Sequence, residues 1–390
     1  MEKTLYQLDS MNRVRSWKIS VEKAALWNDP LTHFAITKIE TGLLDGGKTV
    51  NETETYEGKN IGKANETNYY TQAILEAESK IASKLKEGYV EHISKLKNKD
   101  VLGSGVRAPM LANKHHPTGA QKSSKTLKQI GILGKIVYVQ PKLDGNRCQI
   151  KIEANGKASM YARSGDLMPV QLAHLLEEAE VTYKSLGLTE VVELDGELFT
   201  NKFSFNKLNG LIKRQTVTKE DIEDRKNIKF HLYDTMKKEG YEIRYLFIQQ
   251  FESKSIELIP NYEIVATDEN IKHWLEKFLA EGHEGLMIRQ LGMPYEHKRS
   301  WQLIKVKVFE DTEFKLVGFE EDKRGDFVGA FVMLNKDGKT FNAGASGQSE
   351  EERRYMWTHQ NEFIGKQGTI CFFGLSEYGV PRFPKFKGVR

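Results

Sequence analysis

The sequence predicts an α+β, multidomain chain that ends in a small β-barrel. Three observations carry this expectation. The 390 residues exceed the usual span of one domain and favour two or three. Up to Phe309, strand-like alternation and helical periodicity are mixed. After Phe309 the pattern turns to closely spaced short strands, "EFKLVGFEED", "FVGAFVMLN", "KTFNAG" and "KQGTICFFG", as in a small barrel.

Each element follows from its own pattern. Over residues 1–92, "TLYQLDSMNRVRSWKISVE" alternates about a turn and "THFAITKIE" forms a further strand. "NYYTQAILEAESKIASKLKEGY" then places Ala73, Ile74, Ala77, Ile81 and Leu85 at helical spacing, so this stretch reads as a small α+β domain. Residues 93–106, ending in "LGSGVR", read as a linker. Residues 107–309 form a mixed domain, in which "DENIKHWLEKFLAEG" puts Ile271, Trp274, Leu275, Phe278 and Leu279 on one helix face. The barrel takes 310–390. No internal repeat is apparent.

Composition narrows the function classes. Apolar residues make up 39% and aromatics 10%, enough to build cores and to argue against global disorder. There is no long apolar run and no charged-then-apolar leader, so neither a membrane span nor a secretory signal is expected, and a cytoplasmic location is. Cys148 and Cys371 stand far apart without CxxC or Cys/His spacing, which points to a reducing compartment and away from a structural zinc. The net charge is only +4, but its distribution is uneven. From Val101 to Leu143 there is no acidic residue while Arg107, Lys114, Lys122, Lys125, Lys128, Lys135 and Lys142 accumulate, and the tail "YGVPRFPKFKGVR" is likewise basic. Two such segments fit a phosphate-rich partner.

Strand parity then separates core residues from residues free to do chemistry. In "QPKLDGNRCQI", Asp144-Gly145 between alternating apolar runs predicts a β-hairpin turn with Lys142 at its shoulder. In "VELDGELF", Val192, Leu194 and Leu198 face one way, and Glu193, Asp195, Glu197 and Phe199 the other. Three carboxylates on one face need a metal, a hydroxyl-rich ligand or a basic partner if they are buried together. In "WQLIKVKV", Trp301, Leu303, Lys305 and Lys307 share a face, and neighbouring lysines repel unless an anion lies over them. "KFHLYDTM" is a strand that carries Tyr233. In "EGHEGLMIRQ", Glu284 stands at the mouth of a strand whose glycine lets the backbone pass closely by.

"KLDGNR", "YARSG", "ELDGELF", "FHLYDTM", "EGLMIR" and "WQLIKVK", in this order, resemble the motif series of the covalent nucleotidyltransferases, which include ATP-dependent DNA ligases, RNA ligases and mRNA capping enzymes. The tail "GLSEYGVPRFPKFKGVR" resembles the end of the small ATP-dependent DNA ligases. The resemblance covers about 107–390 and implies an ATP-grasp-like adenylation (nucleotidyltransferase) domain followed by an OB-fold domain. It implies that Lys142 attacks the α-phosphate of ATP, that AMP passes to a DNA 5′-phosphate, and that a 3′-hydroxyl displaces AMP to seal a nick, as used in replication, repair and recombination. By the same resemblance Asp144, Lys305 and Lys307 join Lys142 in the chemistry, while Gln140, Arg147, Arg163, Glu197, Tyr233, Glu284 and Arg382 bind the nucleotide. Tyr233 would stack on adenine and Arg382 would orient pyrophosphate. Glu197 and Glu284 would hold Mg²⁺ or Mn²⁺, and Arg163, Lys298 and Arg299 would meet DNA. A lysine attacks only when neutral, which neighbouring cations and burial promote. In many relatives the last motif runs on past its second arginine, whereas this chain stops at Arg390.

Residues 1–92 also resemble a WGR domain, a module that binds DNA ends and breaks, although the defining Trp-Gly-Arg is replaced by "IETGLLDGGKTV". The expected partner is nicked double-stranded DNA, with the protein acting as a monomer. The rivals are an RNA ligase or a GTP-using capping enzyme, against which the ligase-like tail argues, and a non-catalytic DNA-break binder, against which the complete set of motif residues argues.

Overall fold

The computed structural model describes all residues except 10, 27, 28, 30, 97–99, 119–123, 217, 323, 324 and 390. Lys122 and Arg390, singled out above, therefore lie outside the described residues. The chain divides into two compact units, Met1–Lys305 and Val306–Arg390.

The first unit begins with an antiparallel sheet of β1 (Glu2–Leu8), β2 (Val14–Ala25), β3 (His33–Leu43) and β4 (Lys48–Thr55), in that order. Helix α1 (Tyr69–Lys86) covers one face, started by an Asn68–Thr71 capping box. Its Ala73 and Ala77 meet Leu5, Trp17, Ile19 and Val21 in a core of their own. The exposed β4, "KTVNETET", was not expected as a strand, since it lacks apolar alternation; it pairs along β3 as an edge strand.

Two further sheets build the middle of the chain. One has the order β13-β7-β14-β15-β5-β6 and the other β12-β11-β10-β8-β9. Their strands run β5 (Leu111–His115), β6 (Ser124–Lys125), β7 (Ile136–Lys142), β8 (Asn146–Ile152), β9 (Ala158–Ala162), β10 (Val192–Phe199) and β11 (Lys229–Thr235), then β12 (Ile256–Leu258), β13 (Tyr262–Val265), β14 (Gly285–Gln290) and β15 (Arg299–Val306). The intervening helices are α2 (Leu127–Ile130), α3 (Ala173–Ser185), α4 (Phe205–Lys213), α5 (Lys219–Arg225), α6 (Tyr241–Gln249) and α7 (Asp268–Ala280). Cys148, Ile150, Leu194, Leu198, Phe230 and Leu232 point to one side of the second sheet and pack with Leu175, Leu208, Leu211 and Ile248 of α3, α4 and α6. By alternation, Arg147, Asp195, Glu197 and Tyr233 point to the other side.

The hairpin expected at "KLDGNR" does not form. β7 pairs with β13 and β14, whereas β8 pairs with β10 and β9, so residues 143–145 carry the chain from one sheet to the other. The Asp-Gly signal marks a sharp corner, and tertiary pairing decides where the next strand goes. Gly145 presses against β10 so closely that a Cβ there would lie 2.4 Å from the Leu198 carbonyl oxygen and 2.7 Å from Glu197 Cγ. Leu143 is turned inward and buried.

The second unit is a closed barrel of β16 (Glu310–Glu321), β17 (Val328–Leu334), β18 (Thr340–Gly344), β19 (Gln367–Phe372) and β20 (Lys385–Val389), in the order β16-β17-β18-β20-β19. Helices α8 (Glu350–Thr358) and α9 (Gln360–Phe363) lie between β18 and β19 in the chain. Phe331 and Phe386 stack inside the barrel with ring centroids 3.7 Å apart.

Candidate active site

A cleft enclosing about 840 Å³ of empty space opens in the first unit. It is lined from both middle sheets: Gln140 and Lys142 on β7, Arg147 on β8, Glu197 on β10, Tyr233 on β11, Arg289 on β14 and Lys305 on β15. Arg163 and Arg299 complete its cationic rim. Asp144 is in the corner beside Lys142, and Glu284 just precedes β14.

Lys142 ends β7 opposite Gly285, and the Glu284 N–H donates to the Lys142 carbonyl at 2.8 Å. This backbone pairing brings the Glu284 carboxylate onto the Lys142 ammonium as an ion pair. Gly285 has φ +154°, a backbone region few side chains tolerate. Burial holds the Lys142 ammonium below its ordinary pKa; Glu197 and Asp144 raise it, and Arg147 and Arg163 lower it further.

The acidic face of β10 is resolved residue by residue. Glu193 is ion-paired with Arg107. Asp195 takes a two-pronged pair from Arg147, Nε to Oδ1 at 2.9 Å and Nη2 to Oδ2 at 2.5 Å, and also accepts from the Tyr295 hydroxyl at 2.6 Å. Arg147 Nη1 donates to the Met110 carbonyl at 2.6 Å. Only Glu197 of the three lines the cleft. Burial pushes its carboxyl up to about 7 against the pull of Lys142 and Arg147.

Tyr233 lies beneath two guanidinium groups, Arg147 at 5.8 Å and Arg289 at 5.3 Å from its ring centre. Gln140 lines the cleft, but its amide is engaged within the protein: Oε1 accepts from Arg289 at 2.6 Å and Nε2 donates to the Tyr241 hydroxyl at 3.1 Å. Arg289 also pairs with the buried Asp234 at 2.6 Å, which Arg244 grips from another side at 2.7 Å.

Lys305 pairs across the sheet with Lys114. Burial first, then Lys142, Arg299, Lys114 and Arg163, lower its ammonium to about 8. β15 itself ends at Val306, so Lys307 follows the strand instead of lying within it. Lys307 belongs to the second unit, where its ammonium lies 4.9 Å from the Phe373 ring centre. Arg382 is in that unit too, with its guanidinium 5.8 Å from the ring centres of both Phe373 and Phe383. Lys298 pairs with Glu296 at 2.8 Å and borders a second cavity, while Arg299 donates to the Ala112 carbonyl at 2.5 Å.

Sequence reasoning missed Arg289, Asp234 and Tyr295, and it read Arg107 as one of a basic stretch and not as the partner of Glu193. For Arg289 a signal existed: in "GLMIRQ" it alternates with Met287 on the cleft side of β14. The others are brought in from distant segments, and no local pattern marks them.

Among the described residues, no group of three or more His, Cys, Asp or Glu side chains is placed to hold a metal ion by itself. Mg²⁺ asks for less, since it keeps several waters and takes one or two carboxylates with substrate phosphates. Glu197 and Glu284, both next to Lys142, fit that demand. The cleft thus combines a half-buried lysine with its ion-pair partner Glu284 beside it, one lining carboxylate in Glu197, an aromatic ring and a rim of cations suited to phosphate. No helix among the described residues is long and apolar enough to cross a membrane.

Residues 109–307 match the model for the ATP dependent DNA ligase domain, and residues 321–390 the model for the DNA ligase OB-like domain. An African swine fever virus DNA ligase is 24% identical over 302 residues, 72% of this chain and 64% of that protein. The chain therefore spans a little less than two thirds of this viral relative. A Haemophilus influenzae DNA ligase is 29% identical over 206 residues, 50% of this chain and 70% of that protein. A solved Lig E DNA ligase superposes with a TM-score of 0.55 at 20% identity, covering 73% of this chain and all of that one, which establishes a common fold.

Proposed function

The chain belongs to the ATP-dependent DNA ligase family, and from that premise we propose that it joins nicks in duplex DNA, as a monomer, through a covalent lysyl-AMP intermediate on Lys142. The observation that carries this reading is a half-buried lysine, ion-paired with Glu284, that lines a cleft together with Glu197 and a rim of cations. In the first step neutral Lys142 Nζ attacks the α-phosphorus of ATP. An N–P bond forms, the bond to pyrophosphate breaks, and Nζ gives up a proton. AMP then passes to the 5′-phosphate of the nick, and the adjacent 3′-hydroxyl displaces it.

The residues around Lys142 suit this task. Burial already disfavours its charged form, so whatever draws Glu284 off the ammonium favours the neutral amine. Arg147, tied to Asp195, Met110 and Tyr295, is held rigidly for a ribose or phosphate contact. Tyr233 offers its ring to adenine. Lys305, Arg299 and Arg163 would neutralise the triphosphate and the charge that develops on the α-phosphate. Asp144 holds the corner that presents Lys142. Glu197 and Glu284 would hold Mg²⁺, which supplies charge neutralisation at the phosphates. Lys298 and Arg299 are proposed to meet DNA. For Lys307 and Arg382 the reading rests on the motif resemblance, as does that of residues 1–92 as a WGR-like module.

Incubation with α-labelled ATP and Mg²⁺, followed by nicked DNA or nicked RNA, tests the proposal. Acid-labile label on wild type, its absence in Lys142→Ala, and transfer to DNA are expected. Label from GTP alone would favour a capping enzyme, transfer only to RNA an RNA ligase, and absence of label with retained break binding a non-catalytic binder.

A further inference from the structure

The N-terminal domain meets the rest of the first unit next to Arg163. The end of α1 is held there by two contacts. The Gly103 N–H donates to the Lys86 carbonyl at 3.1 Å, and the Lys86 ammonium pairs at 3.1 Å with Asp166, three residues beyond Arg163. Asp166 also accepts from the Ser164 hydroxyl at 2.9 Å, which braces the turn that carries Arg163.

Between these segments lies a second cavity, of about 740 Å³. Ser83 and Lys86 wall it from α1, and Arg163, Ser164, His297 and Lys298 from the other side. Arg163 and Leu111 line this cavity and the catalytic cleft alike, so the two adjoin. Glu87 is the only carboxylate among its lining residues, and Lys84 engages it at 2.6 Å. The hollow is therefore lined by three cations, of which Lys86 is paired with Asp166 and Lys298 with Glu296, and by the hydroxyls of Ser83 and Ser164, a donor set that a phosphodiester would share with those carboxylates. Ser83 and Lys86 lie outside both segments matched by the family models.

Charge shows that this contact is local. Residues 1–92 carry 12 Lys and Arg against 14 Asp and Glu, so the domain as a whole does not attract a polyanion. The end of α1 is an exception, with Lys80, Lys84 and Lys86 in its last two turns.

We propose that this junction cavity seats a backbone phosphate of the DNA near the break, with Lys86 of the N-terminal domain completing a phosphate track that begins at Arg163 and Lys298. The proposal rests on the ligase reading given above. A phosphate would compete with Asp166 for Lys86, so that ion pair closes the seat until DNA arrives.

The test measures binding of the full-length, adenylated protein to a nicked duplex as a function of salt. A lysine that contacts phosphate contributes about 0.9 to the slope of log K against log salt. Lys86→Ala should weaken binding severalfold at moderate salt and flatten the slope by about that amount, while Lys86→Arg keeps the wild-type slope. Lys63→Ala, an exposed lysine elsewhere in the same domain, should leave the slope unchanged, which separates a contact from a general loss of charge. Asp166→Asn should bind as tightly as wild type or more tightly, because it releases Lys86. A wild-type slope in Lys86→Ala overturns the proposal, and so does weakened binding in both Lys86→Ala and Asp166→Asn, which would make the ion pair purely structural. If the wild-type protein takes label from ATP yet Lys86→Ala behaves as wild type, only the phosphate seat fails. If the wild type neither takes label nor binds the nick, the ligase reading fails with it.

Discussion

Replacing Glu197 with Gln should stabilise the protein while disabling it. Glu197 lines the cleft on the same strand face as Asp195 and Glu193, which are ion-paired with Arg147 and Arg107. Burial lifts its carboxyl from an ordinary 4.5 to about 7. A folded-state pKa above the unfolded one means that the folded protein holds the proton longer. The associated stability is fully present below about pH 4.5 and is lost as pH rises to about 7. At about 1.4 kcal/mol for each tenfold change in proton affinity, ionising Glu197 costs the folded state roughly 3 kcal/mol at pH 8. This is a large share of the 5–15 kcal/mol by which domains are typically stable. Glu197→Gln removes that cost and keeps the side chain's shape. Urea unfolding of both proteins from about pH 5 to pH 8 should show the variant gaining over wild type by up to about 3 kcal/mol at the alkaline end and converging with it at the acidic end. Parallel curves at all pH values would refute the reasoning, because they would mean that the carboxyl is not held against its charge. The same variant should take far less label from ATP.

Asp195→Ala takes away the carboxylate paired with the largely enclosed Arg147 guanidinium and should cost about 3–5 kcal/mol in urea unfolding, whereas Arg147→Met with Asp195→Leu should recover much of that loss. Lys305, lowered to about 8, sheds its charge as pH rises past that value, so the KM for ATP should climb on the alkaline side. Lys305→Arg, which stays charged, should flatten that limb in an initial-rate pH series. Gly145→Ala forces a Cβ to within 2.4 Å of the Leu198 carbonyl oxygen; a loss of about 1–3 kcal/mol in thermal unfolding is expected, together with reduced labelling of Lys142.

What the sequence made legible was mainly the direction in which strand residues point. Alternation alone placed Glu193, Asp195 and Glu197 on one side of β10 and Leu303 with Lys305 on one side of β15. It could not tell which carboxylate would be neutralised, because Arg107, Arg147 and Tyr295 reach β10 from elsewhere in the chain. It misread "KLDGNR" as a hairpin, since the local turn signal is the same whether the next strand pairs with its neighbour or joins another sheet. It ran β15 on to Val308, two residues past its end at Val306, because alternation in the sequence continues where the pairing has stopped. Lys86 went unnoticed for the same reason: its meaning lies in the cavity it walls and not in its neighbours along the helix.

The corner at 143–145 also fixes a length. Four peptide links carry the chain from Lys142 in one sheet to Asn146 in the other, a reach of at most about 13–14 Å. Gly145, pressed against Leu198, leaves no room for slack. An added residue would have to bulge into the cleft, and a deleted one would drag Lys142 or Arg147 out of its strand register. The spacing between these two residues is thus set by the gap between two sheets. This segment should be among the least tolerant of insertion in the whole protein, although it is irregular in structure and lies between two strands, where a change of loop length is ordinarily absorbed.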